Sequence, residues 1–256
     1  PGDRVYYAGA INRAGANSEL HVVDERIVGR MPAKLAFAEA AALPLTAITA
    51  WELLFERLQV SQGSADLGQS LLIVGAAGGV GSILVQLARQ LTGLTVIGTA
   101  SRPETQAWVR ELGAHHVIDH RQPLSEELKR IGINQVTHVA SLTQTDQHYA
   151  QLVEALAPQG RLALIDDPEQ PLDIMPLKRK SLSLHWELMF TRSLFETADM
   201  IEQHRLLQRV AELVDAGTLH TTLGEHFGSI NAANLRRAHT LLESGTAKGK
   251  IVLEGF

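Results

Sequence analysis

The sequence predicts an α/β protein built on a doubly wound parallel sheet, with parts of a smaller β-rich unit before and after it. Three observations carry the prediction. Apolar runs rich in branched residues recur at 71–74, 94–100, 117–118, 136–142 and 162–165, with helix-patterned segments between them. Strand, helix and strand repeated in this way require crossovers, and crossovers make a parallel sheet. A glycine-rich turn, Ala76-Ala77-Gly78-Gly79-Val80-Gly81, joins the first of these strands to the first helix. The flanking segments lack the alternation, which sets one unit at 1–46 with 196–256 and the other at 47–195.

Taken in order, the first section carries short apolar stretches at 5–7 and 20–23 around a Gly/Asn/Ser-rich loop at 9–18, the pattern of short strands. From Thr46 the spacing changes. Trp51, Leu54, Phe55 and Leu58 fall at i, i+3, i+4 and i+7 and predict a helix that joins the two units. Residues 80–91 form the first crossover helix. Residues 103–112 form the second, with Pro103 at its first position and Gly113 past its end. The segment 144–157 completes another unit. Ile201, Val210, Leu213 and Val214 mark a long amphipathic helix; Leu235, Ala238, Leu241 and Leu242 mark another, closed by Gly245. Residues 250–256 return to strand. No internal repeat is present, which excludes an array architecture.

Composition narrows the function. The 256 residues are 45% hydrophobic, enough for two modest cores. With 23 basic and 28 acidic residues the chain has no cationic field for nucleic acid or an anionic membrane, and a small molecule is the expected partner. There is no cysteine, so disulfides and thiolate metal sites are excluded among these residues, and a cytoplasmic location is expected. Residues 67–88 carry no formal charge and approach the roughly 20 apolar residues of a membrane span. Gly75, Gly78, Gly79 and Gly81 argue against one, because such a cluster breaks a helix. Pro1-Gly2-Asp3-Arg4-Val5 has no signal-sequence pattern and is expected to continue a longer chain.

The stretch 70–82 runs a buried strand into the glycine turn and then into a helix, the context of a dinucleotide-binding fingerprint. A pyrophosphate is held by open backbone N–H groups and the positive end of a helix dipole. Gly78, Gly79 and Val80 are expected to supply that surface, with Gly81 as the last motif glycine. The pattern departs from G-x-G-x-x-G in carrying Ala76 at its first position. The next strand selects the coenzyme. An NAD site places Asp or Glu about 20 residues beyond the turn, against the ribose 2′-hydroxyl. Here the sequence reads Thr99-Ala100-Ser101-Arg102, with no acid before Glu104. Arg102 pairs with a 2′-phosphate that a carboxylate would repel, so NADPH is expected over NADH.

The chain resembles the medium-chain dehydrogenase/reductase superfamily, and within it the quinone oxidoreductases and zinc-type alcohol dehydrogenase-like proteins. The resemblance lies in Pro1-Gly-Asp-Arg-Val5, Ala40-Ala-Ala-Leu-Pro44, Thr49-Ala-Trp51, 75–82, Leu112-Gly-Ala114 with Val117-Ile-Asp-His120, and Gly249-Lys-Ile-Val252. It implies a Rossmann-type coenzyme domain and a partial GroES-like β-rich catalytic domain that lacks its amino-terminal part. It implies NADP(H) on Gly78 to Gly81, with Ser101, Arg102 and His120 around the 2′-phosphate. It further implies coenzyme contacts at Ser141, Leu142, Thr143, Leu164 and Ile165, and places Thr49, Met189 and Phe190 near the nicotinamide. A homodimer through the coenzyme domains, by edge pairing of the strand near 181–188, follows from the same resemblance.

Zinc alcohol dehydrogenases carry a four-cysteine lobe soon after a segment like 1–5 and a cysteine ligand ahead of the Thr-Ala pair. Here 6–25 has no cysteine and the second place holds Leu45, which cannot ligate a metal. The 11 histidines show no metal-binding spacing. The expected activity is hydride transfer from NADPH to a quinone or α,β-unsaturated carbonyl without zinc, and no general acid is evident. Two alternatives stay open: a zinc-dependent alcohol dehydrogenase with ligands in an amino-terminal part, and a catalytically idle NADPH-binding sensor or structural protein.

Overall fold

The computed structural model describes residues 1–256, which divide into two compact units, 1–49 with 188–256 and 50–187. Numbered along the chain, the first unit opens with β1 (Val5–Tyr7), β2 (Val28–Arg30), α1 (Phe37–Ala41) and α2 (Pro44–Trp51), whose last two residues already belong to the second unit. β1 and β2 pair antiparallel, and the Tyr6 hydroxyl donates to the Leu207 carbonyl at 2.6 Å. The expected strand at 20–23 does not form. Leu20 and Val22 are 91% and 75% exposed, and the Asp24 carboxylate accepts the Arg26 N–H at 2.9 Å, capping a 3₁₀ turn that delays the strand to Val28.

The second unit is a six-stranded parallel sheet. Its strands are β3 (Ser70–Val74), β4 (Thr95–Thr99), β5 (His116–Ile118), β6 (Val136–Ser141), β7 (Leu156–Leu164) and β8 (Ser183–Trp186). They lie in the order β5-β4-β3-β6-β7-β8, every neighbour pair parallel. This is the doubly wound dinucleotide-fold order, in which the direction of winding reverses between β3 and β6. Connecting helices are α3 (Gly79–Leu91), α4 (Pro103–Glu111), α5 (Leu124–Arg130), α6 (Thr145–Ala155) and α7 (Met175–Lys178). β3 is buried at all five residues, as a central strand covered on both faces must be. Leu72, Val74, Ile97, Val139, Leu162 and Leu164 meet Leu124, Leu128 and Leu152 of the helices in one core.

In the parallel-sheet unit two boundaries differ from expectation by more than one residue. β7 begins at Leu156, not 162, and α6 ends at Ala155, because Pro158 disfavours the helical region for the residue before it and extends the chain there. α5 was not foreseen; seven residues show one apolar i, i+4 pair, Leu124 and Leu128, too little periodicity to read.

α2 runs on into a π-helical turn, Glu52–Arg57, where the Leu58 N–H bonds Leu53 O at 2.9 Å. The helical stretch Phe37–Arg57 is long and apolar enough to cross a membrane by length and composition; 72% of its window is buried, as in a core helix. The uncharged stretch 67–88 is split between β3, the glycine turn and α3.

In the first unit the chain continues through α8 (Thr191–Leu194), α9 (Glu202–Asp215), β9 (Leu223–His226), α10 (Ala232–Glu243) and β10 (Lys250–Val252). α9 buries Leu206, Leu207, Val210, Leu213 and Val214 along one side, as its period predicts. β9 and β10 pair parallel, and the strand ends at Val252, short of the expected 256.

Candidate functional site

Because all six strands run the same way, their carboxyl ends share one edge, and the crevice of such a sheet opens where the winding reverses. The glycine turn leaves β3 at that point. The Gly75 N–H donates to Thr99 Oγ1 at 3.2 Å and the Gly78 N–H to Gly75 O at 3.1 Å, closing the turn. Gly78 therefore caps the helix with its N–H already engaged, a correction to the expectation that it offers a free donor. The first amide to find an intrahelical carbonyl is that of Ser82, on Gly78 O at 2.9 Å. The N–H groups of Gly79, Val80 and Gly81 thus open α3 without intrahelical partners, at the positive end of its dipole.

Two close approaches make this corner. A Cβ on Gly81 would stand 2.4 Å from Gly75 O and 2.6 Å from Ala76 Cα, so only glycine lets α3 start so close to the turn. The departure at Ala76 is accommodated next door: a Cβ on Gly98 would lie 2.9 Å from the Ala76 methyl, which fills the space that Gly98 of β4 leaves. Trp108 Nε1 of α4 donates to Ser82 Oγ at 2.8 Å and ties the second crossover helix to the first.

Ser101 and Arg102 follow β4, and Arg102 caps α4. Its Nε lies 3.1 Å from Glu104 Oε1. Beside it, at the end of β5, sits a residue that sequence reasoning missed. Arg121 donates to Ser101 O at 2.9 Å and holds Asp119 through Nε and Nη2. The strand-end pattern Asp119-His120-Arg121, read against Ser101-Arg102, was the available signal. Two guanidiniums and two carboxylates stand here in balance, so an incoming phosphate must exchange with Glu104 or Asp119 for its cation.

His120 is half-buried, and burial holds its imidazole below the usual range, so it is neutral at pH 7 and is no cation for a phosphate. Its ring meets that of His148 on α6 edge to face, centroids 6.0 Å apart, and the Nδ1 atoms of both are buried without a partner.

At the ends of β6 and β7, the Leu142 N–H bonds Val74 O at 3.2 Å and the Thr143 methyl packs where a Cβ on Gly75 would stand, at 2.9 Å. Ser141 Oγ is 2.8 Å from Thr145 Oγ1, and Asp166 accepts both the Thr145 N–H, at 2.9 Å, and its hydroxyl. Leu164 is buried and its carbonyl takes the Glu187 N–H at 2.9 Å, with Ile165 next in the chain. The structure thus brings 78–81, 101–102, 120, 141–143 and 164–165 to one edge. Thr49, Met189 and Phe190 belong to the first unit: the Thr49 hydroxyl donates to Leu45 O at 2.9 Å, Met189 O accepts the Gln203 side chain at 2.6 Å, and Phe190 caps α8.

A parallel sheet in this order, with open amides at its switch point and Cβ-intolerant glycine beneath them, defines a dinucleotide-binding domain. The profile of the zinc-binding dehydrogenases matches residues 112–253. A zinc-type alcohol dehydrogenase-like protein of Staphylococcus aureus (strain MRSA252) is 39% identical over 254 residues, 99% of this chain and 76% of the relative. Among solved structures, a candidate zinc-dependent alcohol dehydrogenase of Rhizobium etli CFN 42 is 60% identical, with a TM-score of 0.95 over 100% of this chain and 75% of that one. The quinone oxidoreductase of Escherichia coli complexed with NADPH is 25% identical, with a TM-score of 0.81 over 99% of this chain and 76% of that one. The chain belongs to the zinc-binding dehydrogenase family, within the medium-chain dehydrogenase/reductase superfamily, and is an oxidoreductase of that superfamily.

Proposed function

We propose that the chain is an NADPH-dependent oxidoreductase acting on a quinone or an α,β-unsaturated carbonyl, without zinc. The observation that carries this reading is the pairing of three open amides at the start of α3 with two guanidiniums at the neighbouring strand ends. The Gly79, Val80 and Gly81 amides hold the pyrophosphate. Ser101, Arg102 and Arg121 take the 2′-phosphate, with Glu104 and Asp119 released to solvent. Leu164 and Ile165 contact the coenzyme, and Thr49, Met189 and Phe190 serve the nicotinamide end, as the family resemblance assigns them. When bound, the reduced nicotinamide supplies a hydride to an electron-poor carbon. The likeness to a quinone oxidoreductase complexed with NADPH supports the choice of coenzyme.

The residues present do not fit zinc, whatever the family is called. There is no cysteine, Leu45 stands where a ligand is expected, and no group of three or more His, Asp or Glu side chains converges. Without a Lewis acid, an acceptor that is already activated is favoured over a simple ketone or alcohol. Stopped-flow oxidation of NADPH with a quinone, an enone and simple aldehydes tests the substrate class: turnover confined to aldehydes or alcohols overturns it. One zinc per chain by elemental analysis overturns the metal-free reading.

A homodimer goes with this proposal. β8 is a sheet edge paired on one side only, by β7, and its Trp186 is 50% exposed, which makes it the natural strand for pairing with a second copy. A reducing, cytoplasmic setting accords with a chain free of cysteine.

A further inference from the structure

The corner that follows β6 is held from the end of β7. Asp166 accepts both the Thr145 N–H, at 2.9 Å, and the Thr145 hydroxyl, and Thr145 Oγ1 lies 2.8 Å from Ser141 Oγ. A hydroxyl has one proton to give, and that of Thr145 goes to a carboxylate oxygen. Ser141 must therefore donate to Thr145, and the three side chains form one directed chain, Ser141 to Thr145 to Asp166, across the ends of two neighbouring strands. Ser141 and Thr145 are fully buried, and their hydroxyls are committed to this chain.

The chain restrains a strained residue. Gln144 has φ 52° and ψ 38°, the left-handed region that a residue with a Cβ enters at a cost and keeps only where its surroundings hold it. Its side chain makes no cap bond, so the first amide of α6 takes its partner from Asp166 instead. Two further bonds join the same elements: the Glu169 N–H donates to Asp146 Oδ2 and the Tyr149 hydroxyl to Asp173 O, each at 2.8 Å. On its entry side the corner rests on β3 and the glycine turn, through the Leu142 N–H on Val74 O and the Thr143 methyl against Gly75. Residues 142–144 thus stand between the glycine turn and β7, and Asp166 fixes their exit.

A dinucleotide lies across a switch point with one half on each side. On the coenzyme reading above, the 2′-phosphate sits at the ends of β4 and β5 and the pyrophosphate at α3, so the nicotinamide half falls to the ends of β6 and β7. We infer that Asp166, acting through Thr145, is a positioning residue for that half, a role that rests on the coenzyme reading: it keeps the 142–144 corner in the one conformation that the nicotinamide half meets. Without Asp166 the amide and hydroxyl of Thr145 lose their common acceptor and Gln144 relaxes from the left-handed region. The surface for the nicotinamide half changes, and that for the adenosine half is kept.

Calorimetric titrations of the wild type, D166A, T145V and T145S with NADPH, and with adenosine 2′,5′-bisphosphate as a probe of the adenosine half alone, test this role. D166A and T145V should bind NADPH about tenfold more weakly than the wild type, as expected for a lost hydrogen bond to a charged group. The bisphosphate should bind all four proteins alike, and T145S, which keeps the hydroxyl, should match the wild type with both ligands. Unchanged NADPH affinity in D166A overturns the proposal. Equal weakening of both ligands does so too, because it marks general damage to the site, and so does a T145S as weak as T145V. If the wild type takes up neither ligand, the coenzyme reading fails and the role goes with it; uptake by the wild type without the split among the variants fails the role alone. Should D166A not fold, the contrast between T145V and T145S carries the test.

Discussion

The two edges of the one parallel sheet are built from the same strands and end in opposite ways. At the amino edge the polar groups are consumed internally. Thr137 Oγ1 accepts the Ser70 N–H at 3.0 Å and donates to Ser70 O at 2.9 Å, and it lies 2.9 Å from His138 Nδ1. Arg161 Nη1 reaches Leu58 O and Gln59 Oε1, both at 2.7 Å, and Asp66 takes the Ser61 N–H at 2.7 Å. At the carboxyl edge three helix amides stay open, and the buried side-chain atoms of this unit without a partner, on His120, His148 and Glu187, all belong to segments that leave the strands there. Unused hydrogen-bonding capacity, where burial makes it unfavourable, marks the edge that awaits a ligand. The closed edge holds the fold together.

The comparison breaks or sharpens under four changes, the largest first. Gly81→Ala drives a methyl into Gly75 O and Ala76, an overpacking of about 3 kcal/mol, or roughly two powers of ten in NADPH affinity. Near-wild-type affinity in a calorimetric titration breaks the argument for the corner. On the closed edge, burial holds His138 neutral and lowers its pKa to about 4. The unfolded chain takes up that proton below the ordinary value of 6.5, so this contribution is intact above 6.5 and is lost as pH falls toward 4. It amounts to up to about 3 kcal/mol. Urea unfolding of the wild type and His138→Asn should show an acid slope shallower by about one proton in the variant, where the other histidines lowered by burial still titrate, with NADPH affinity at pH 7.5 equal in both; a coenzyme effect contradicts the division of labour. Arg102→Ala should remove about 2 kcal/mol from NADPH binding and leave NADH nearly untouched, since a charged hydrogen bond is lost from one ligand alone. Glu104→Gln, which frees Arg102 from an exposed pair, should tighten NADPH by about 0.5 kcal/mol. A weaker complex in that variant means that Glu104 orients the guanidinium and does not compete for it.

Much of this was legible in the residues. Branched apolar runs alternating with helical periods foretell the parallel sheet, and the glycine turn identifies its switch point, because a strand, a corner and a helix are each written locally. Ser101 and Arg102 were found by counting along the chain from that corner. What the residues hide is tertiary coincidence. Arg121 joins Ser101 across two strand ends, His148 meets His120 from a helix, and Arg57 meets Glu187 from 130 positions away; no period or spacing records such pairings. The apolar stretch at 20–23 misled because branched and apolar residues raise strand propensity even where, as at Leu20 and Val22, the side chains stay exposed. The free amide expected of Gly78 was lost to a turn bond that only coordinates reveal.

The central claim is that the open amides at the start of α3 take a dinucleotide pyrophosphate, with Arg102 and Arg121 adding a hold on a third phosphoryl group. Parallel titrations of the wild-type protein with NADPH and NADH test it most directly. Saturable binding of one coenzyme per chain, NADPH the tighter by at least tenfold, is the predicted result, since a charged hydrogen bond is worth about 1.5 kcal/mol or more. No saturable uptake of either coenzyme contradicts it.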